Sequence, residues 1–333
     1  MTSQMTQPTP EEPLDSLPFP YSQRPYCPYE PFEKRIKDIR VLIVNNLLRE
    51  ESDLSDTARR EWGGSAAGKL ERERYISGLA LDNIVNNIKR LVEEPEVCVA
   101  HISEAVEAAE GFKPEAIVLS GTLSDFDYYD PGMLRRFAAF AVETTTPILG
   151  ICGGHQLIGL AFGVPCVTLD NSDPAERRDG RNYEYQYRFI RITEPEDPIF
   201  RGIRNRDEGV WQDYTTEGAN LRVWQNHGLQ LPRLPEGFKL LATSYLCRNQ
   251  MMVKRTDGQL IYTVQFHLEK SFQDLTRNLQ RVNPNLAPEE RRRLLREEAS
   301  ARTLWAHPNE SRDGRLLFEN FMILAQEHNR RAA

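Results

Sequence analysis

Four short, uninterrupted apolar runs restrict the fold of this chain more than any other feature: Val41–Val44, Val97–Ala100, Ala116–Leu119 and Ile148–Ile151. A strand that is apolar at every position must be covered on both faces, which a parallel sheet with helices on each side provides. The segments between the runs supply those helices. Leu81, Ile84, Val85, Ile88, Leu91 and Val92 fall on one helical face, with Glu94-Pro95 as the expected stop. Ser103–Ala109 and Met133–Val142 predict two more helices. Alternating strand and helix signals define an α/β class with an open, mostly parallel central sheet flanked by helices. Beyond Pro165 the reading is strand-rich, over Cys166–Leu169, Tyr185–Ile192, Leu221–Trp224, Lys239–Ala242, Met251–Lys254 and Ile261–Phe266; a helix over Arg315–Glu327 closes the chain.

Two kinds of segment depart from this plan. Residues 1–35 hold eight of the 21 prolines and read as a proline-rich tail or surface strap, leaving one domain over 36–333. Polar, helix-prone stretches near 49–75 and 272–313 read as insertions into that domain. The net charge of −7 argues against a nucleic-acid partner, and Arg291, Arg292 and Arg293 lie among glutamates as a solvated helix face. The five cysteines are scattered without a Cys-x-x-Cys pair, which fits a reducing compartment and offers neither a disulfide framework nor a zinc site. No leader segment is evident, and no apolar run reaches the roughly 20 residues that a bilayer requires. The sequence therefore predicts a cytoplasmic protein that engages neither nucleic acid nor membrane.

Chemistry concentrates at Pro147-Ile-Leu-Gly-Ile-Cys-Gly-Gly-His-Gln-Leu157, where an apolar strand runs into Cys152, two glycines and the apolar helix Leu157–Phe162, closed by Gly163 and Pro165. Glycines beside a nucleophile at a strand-to-helix turn permit the strained backbone that projects the side chain. The helix aims its positive end at the sulfur, favouring thiolate, and its free amides can hold an oxyanion, with the Gly153 N–H as first donor. A thiol also needs an oriented base. Tyr262-Thr-Val-Gln-Phe-His-Leu-Glu269 provides one: on a strand Tyr262, Val264, Phe266 and Leu268 share an apolar core face, while His267 and Glu269 share the other. Glu269 can then accept from one imidazole nitrogen, leaving the second for Cys152.

Together these segments resemble the class I, triad-type glutamine amidotransferases. Gly150, Cys152, Gly154 and Gln156 match the family's Gly-x-Cys-x-Gly-x-Gln pattern, and His267 and Glu269 match its His-x-Glu. Gln225-Asn-His-Gly228 is similar to the family's glutamine clamp; Asp197–Gly202 and Leu316–Phe321 match further landmarks, so that the likeness spans about 38–271 and 314–327. It implies a flavodoxin-like fold, a catalytic triad of Cys152, His267 and Glu269, an oxyanion hole around Gly121, Thr122 and Gly153, and glutamine contacts from Gln156, Asn226, His227, Gly228 and Leu229. The activity implied is hydrolysis of the L-glutamine side-chain amide through a Cys152 thioester, without metal or other cofactor. The chain departs from the family pattern in two places: Thr122 and Leu123 replace a second glycine and a proline after Gly121, and Leu268 replaces a frequent proline.

With no ATP-using region in the chain, the expected role is a glutaminase passing ammonia to a separate synthetase or acceptor protein. The alternatives are a stand-alone γ-glutamyl hydrolase and a catalytically weak regulatory or binding module. Gly63-Gly-Ser-Ala-Ala-Gly-Lys69 falls short of a phosphate-binding loop because Leu70 lacks the magnesium-ligating hydroxyl, and it reads as a flexible glycine-rich loop.

Overall fold

The computed structural model describes residues 34–203, 220–256, 258–270 and 312–332. The proline-rich segment, apart from its last two residues, and most of the expected insertion near 272–313 lie outside the described residues, as does Arg291–Arg293.

Chain order is β1 (Ile36–Asn45), α1 (Asp56–Trp62), α2 (Ala66–Leu91), β2 (Val92–His101), α3 (Ala105–Phe112), β3 (Ala116–Leu119), α4 (Pro131–Glu143), β4 (Ile148–Ile151), α5 (Gly153–Ala161), β5 (Val167–Thr168), β6 (Glu184–Ile192), β7 (Asn220–His227), β8 (Leu229–Gln230), β9 (Lys239–Thr243), β10 (Met251–Thr256), β11 (Gln259–Val264) and α6 (Arg312–Ala332). Among the described residues nine strands form one sheet in the order β2-β1-β3-β4-β11-β10-β9-β6-β7. Neighbours from β2 through β11 are parallel. From β11 outward through β7 the pairings are antiparallel. The expected mostly parallel sheet is thus present, extended on one side by an antiparallel wing.

The two-sided burial that the apolar runs demand is met residue by residue. In β1, Val41 and Ile43 pack with Ile84, Ile88 and Leu91 of α2 and with Leu317, Phe318 and Phe321 of α6. Leu42 and Val44 face the opposite layer, with Ala105 of α3, Phe137 of α4 and Leu157 of α5. Successive strand residues point to opposite faces, so a run with no polar position is required when helices cover both.

Three local expectations are corrected. The first helix ends at Leu91, ahead of Glu94-Pro95, because Val92 already pairs with Ile36, and Pro95 sits inside β2. That is permissible because β2 is an edge strand of the sheet, where a missing N–H costs no ladder bond. The glycine-rich segment is not a loop: Gly63–Ser65 forms a 3-10 turn and Ala66 begins the 26-residue α2. Finally, β11 stops at Val264 and does not run on to Phe266. The next amides leave the ladder for two different partners, Gln265 N to Gln250 O at 2.8 Å and His267 N to Trp224 O at 2.8 Å.

Candidate active site

The loop after β3, the β4–α5 turn, the end of β7 and the segment after β11 converge at the carboxyl ends of the parallel strands, where open α/β sheets bind ligands. Cys152 stands between β4 and α5 with φ 51° and ψ −103°, a left-handed backbone in a residue that carries a Cβ. Its amide is anchored to Val264 O at 2.8 Å, which ties the turn to the strand preceding His267.

The neighbouring glycines are dictated by close approach. A methyl group on Gly150 would lie 2.8 Å from the Gly154 carbonyl carbon, and one on Gly154 would lie 2.7 Å from Leu119 Cβ. On Gly153 it would lie 2.3 Å from Thr122 N and 2.2 Å from Thr122 Oγ1. The Gly121-Thr122 backbone therefore runs directly over the first residue of α5, where the proposed oxyanion donors must gather. A methyl on Gly121 would stand 3.5 Å from His267 Cε1 and 3.7 Å from Cys152 Cβ, which shows how tightly loop, base and thiol are grouped. Thr122 keeps a negative φ, so the departure from glycine carries no backbone strain in this conformation.

The strand has ended and burial does not alternate beyond Tyr262, since Thr263, Gln265 and Glu269 are buried like the apolar set. Phe266 and Leu268 pack into the core. His267 is largely buried, and its Nδ1 lies 2.7 Å from Glu269 Oε1. Burial disfavours the charged imidazolium, but Glu269 and the nearby Cys152 outweigh it and hold the His267 pKa up at about 10. Glu269 is shifted the other way: burial, the largest single effect, raises its pKa, but the charge and hydrogen bond of His267 together with the charge of Lys270 take it below the ordinary carboxylate range. With Nδ1 committed to Glu269, Nε2 is the nitrogen left for the thiol. The structure thus places Glu269 against His267, and His267 Cε1 and Cys152 Cβ beside the same point at Gly121.

The residues expected to contact glutamine divide into two kinds. Asn226 has an exposed side chain, and its carbonyl lies 4.0 Å from Cys152 Sγ. Gly228 packs against Tyr183, whose Cε1 would be 2.9 Å from a methyl there. Gln156 and His227 are turned inward. Gln156 Nε2 donates to Leu229 O and to Gln265 Oε1, each at 3.1 Å. His227 is buried with Nδ1 2.9 Å from Leu229 O and Nε2 3.0 Å from Glu184 Oε2. Both side chains fix the clamp hairpin from behind, with Leu229 O as their shared acceptor.

Gln265 completes the connection, and the sequence reading passes over it. It is fully buried, and its Nε2 lies 3.7 Å from Cys152 Sγ while its Oε1 accepts from Gln156. The signal is there to be found, since Thr263, Gln265, His267 and Glu269 occupy alternate positions, opposite the apolar set.

Among the described residues, Glu184, His227 and Cys247 place potential metal-ligand atoms within 4.8 Å of one another. The chemistry of the group is that of a closed hydrogen-bond network. Both His227 nitrogens face oxygen acceptors, and Glu184 also accepts from Ser244 Oγ at 2.8 Å and Gln250 Nε2 at 2.6 Å.

This mixed sheet, with a cysteine at a glycine-lined strand–helix turn and a His-Glu pair beside it, is the architecture of a glutamine-hydrolysing amidotransferase. The chain belongs to the class I glutamine amidotransferases: the model of that family, described as "Glutamine amidotransferase class-I", matches residues 79–281. It is similar to a glutamine-hydrolyzing GMP synthase subunit of Thermococcus kodakarensis, 33% identical over 165 residues that span 49% of this chain and 71% of that protein. The corresponding subunit from Pyrococcus furiosus is 30% identical over 181 residues, 53% of this chain and 80% of that one. Against the glutamine-hydrolyzing GMP synthase of Bartonella henselae, identity is 31% over 165 residues, which span 50% of this chain but only 26% of that protein. In fold, the chain is similar to the crystal structure of a Thermoplasma acidophilum protein described as a GMP synthase subunit, with a TM-score of 0.50 and 19% identity over 88% of this chain and 96% of that one. Among the described residues no helix is long and apolar enough to cross a membrane.

Proposed function

We propose that Cys152, His267 and Glu269 form the catalytic triad of this amidotransferase, and that the ammonia they release serves a separate synthetase of the GMP synthase kind. The observation that carries the chemical part is the polarised His267, paired with Glu269 through Nδ1 at 2.7 Å, with its Cε1 and the Cys152 Cβ converging beside Gly121. In the proposed reaction the thiol passes its proton to His267, and the thiolate is the attacking species.

The Cys152 sulfur adds to the γ-carboxamide carbon of glutamine, and the carbonyl π-electrons move onto oxygen. Backbone amides of the Gly121-Thr122 loop and Gly153 face the position where that oxyanion develops. As the intermediate collapses, His267 gives its proton to the departing nitrogen and ammonia leaves, with a γ-glutamyl thioester on Cys152. His267 then takes a proton from water as it attacks the thioester, and glutamate is released with the thiol restored. Asn226, Gly228 and Leu229 form the wall that holds the amino-acid end of the substrate. Gln156 and His227 position that wall.

The synthetase partner is supported by the relatives: this chain spans most of the separate Thermococcus and Pyrococcus subunits but about a quarter of the Bartonella synthase. The test is glutamate and ammonia release by the purified chain, alone and with a GMP-type synthetase and its substrates, for wild type and C152A. The expected result is low release alone, strong stimulation in the complete mixture and no release by C152A. Full activity in C152A sinks the triad assignment; lack of stimulation by the synthetase sinks the partner assignment.

A further inference from the structure

The loop that carries the proposed oxyanion donors, Ser120–Asp125, is held at both ends. On the β3 side, Asn46 donates from its backbone N to Ser120 Oγ at 3.0 Å and from Nδ2 to Ser120 O at 2.7 Å. On the far side, Asp125 receives Arg181 Nη1 at 2.7 Å and Arg178 Nη1 at 3.0 Å. Between them, a cavity of about 490 Å³ borders Leu123 and Ser124, so the loop is not packed solidly along its middle. There the Ser124 hydroxyl donates to Glu73 Oε1, reaching across to α2.

Glu73 is an unusual residue to find in that place. It is only 1% exposed, and its second carboxyl oxygen is buried with no hydrogen-bond partner among the described residues. Burial, only partly offset by the Ser124 hydroxyl and the Leu48 amide, pushes its pKa up to about 7. A group so costly to bury is more often kept for a task than for stability. It does not stand alone on its helix: Glu73, Ser77, Asn83 and Asn87 make a buried polar stripe along α2. At the other end of the stripe, roughly 20 Å along the axis at the α-helical rise per residue, Asn87 Nδ2 donates to Asn83 O at 3.0 Å and also to the main-chain carbonyl of Glu269. One helix therefore touches both halves of the site, the oxyanion loop and the turn that carries the His267 partner.

We propose that α2 is a brace for the active site, with Glu73 as a positioning residue that sets the Gly121-Thr122 amides through Ser124. The need for it follows from Thr122. A glycine-rich oxyanion loop can adjust its amides to the developing charge, whereas a β-branched residue over Gly153 has far less freedom and must be placed correctly beforehand. Glu73 lies ahead of residue 79, where the match to the family model begins, so this support comes from outside the matched region.

The inference rests on the proposed site, and the experiment separates the two. Steady-state glutamate formation is measured on the full chain for wild type, C152A, E73A, E73Q, S124A and E73A/S124A, with thermal unfolding of each to confirm folding. Losing one positioning hydrogen bond, worth about 1 kcal/mol, should lower kcat about fivefold in E73A and in S124A with KM within about twofold. The double variant should lose no more than either single one, because both remove the same link. E73Q, which keeps an acceptor for Ser124, should recover most of the rate. Additive losses, a change confined to KM, an E73Q as slow as E73A, or unchanged rates throughout would each overturn the brace. The S124A arm decides the matter if E73A fails to fold. Turnover retained by C152A would instead refute the site itself.

Discussion

Nδ1 of His267 and Oε1 of Glu269 are 2.7 Å apart, and this bond fixes which imidazole nitrogen can serve the thiol. Glu269 also supplies the larger of the two attractions that raise the His267 pKa to about 10, against a burial effect that lowers it. A His pKa raised on folding favours the imidazolium, so its stabilisation is complete below about 6.5 and is lost as pH rises through the folded value. In E269Q, His267 should titrate at lower pH, read by NMR of its ring protons. Glutaminase kcat should fall by about a hundredfold or more, as expected when an imidazole loses its orienting carboxylate. A normal rate in E269Q would show that Glu269 does not act on the base.

Gly153 leaves no room for any side chain. In G153A the new methyl meets the Thr122 backbone N, at 2.3 Å, as well as its side chain, at 2.2 Å. The loop must move outward and a proposed oxyanion donor is displaced, which should lower kcat by about two orders of magnitude. Adding T122G removes the side-chain clash but leaves the backbone one, so T122G/G153A should stay as slow as G153A. Rescue by that double change would mean that the Thr122 side chain alone sets the constraint.

Gln265 sits with Nε2 3.7 Å from Cys152 Sγ. A carboxylate there would oppose the thiolate in a buried setting. Q265E should therefore slow alkylation of Cys152 by iodoacetamide about tenfold or more at neutral pH, with Q265A affected less. Equal alkylation rates in Q265E and wild type would remove Gln265 from the environment that matters to the sulfur.

His155 offers a stability test away from the sulfur. It is fully buried, and burial, helped by the nearby His227, lowers its pKa to about 3. A histidine held neutral in the fold binds its proton more readily when unfolded, so its contribution is complete above about 6.5 and is lost as pH falls toward 3. Between pH 7.5 and 4.5 this should cost about 3 kcal/mol of unfolding free energy. Urea midpoints at the two values should differ less in H155Q than in wild type; equal differences would assign the acid sensitivity elsewhere.

The sequence exposes what depends on local pattern. Val41–Val44 announces a doubly covered strand because every position is apolar, and Cys152 announces its turn because Gly153 and Gly154 follow it. His267 and Glu269 are readable as a pair from alternation alone, even though the strand ends at Val264. What escapes depends on which distant segments meet. Pro95 reads as a helix stop until β2 is known to be an edge strand. Glu73 with Ser124, and Asn87 with the Glu269 carbonyl, are separated by 51 and 182 residues, and nothing near either partner marks the contact. His227 reads as a ligand contact by its place in the clamp, yet its two nitrogens are taken by Leu229 O and Glu184.

The φ of 51° at Cys152 has a consequence for how inert variants should rank. Removing the sulfur with alanine leaves a Cβ in a backbone region that L-residues avoid, whereas glycine occupies it freely. C152G should therefore melt above C152A, by about 1 kcal/mol in unfolding free energy, although glycine elsewhere loosens a chain. Calorimetry of the two dead proteins would show the usual order of alanine and glycine inverted at a single residue, because presenting the sulfur requires a contorted main chain that the rest of the molecule must hold in place.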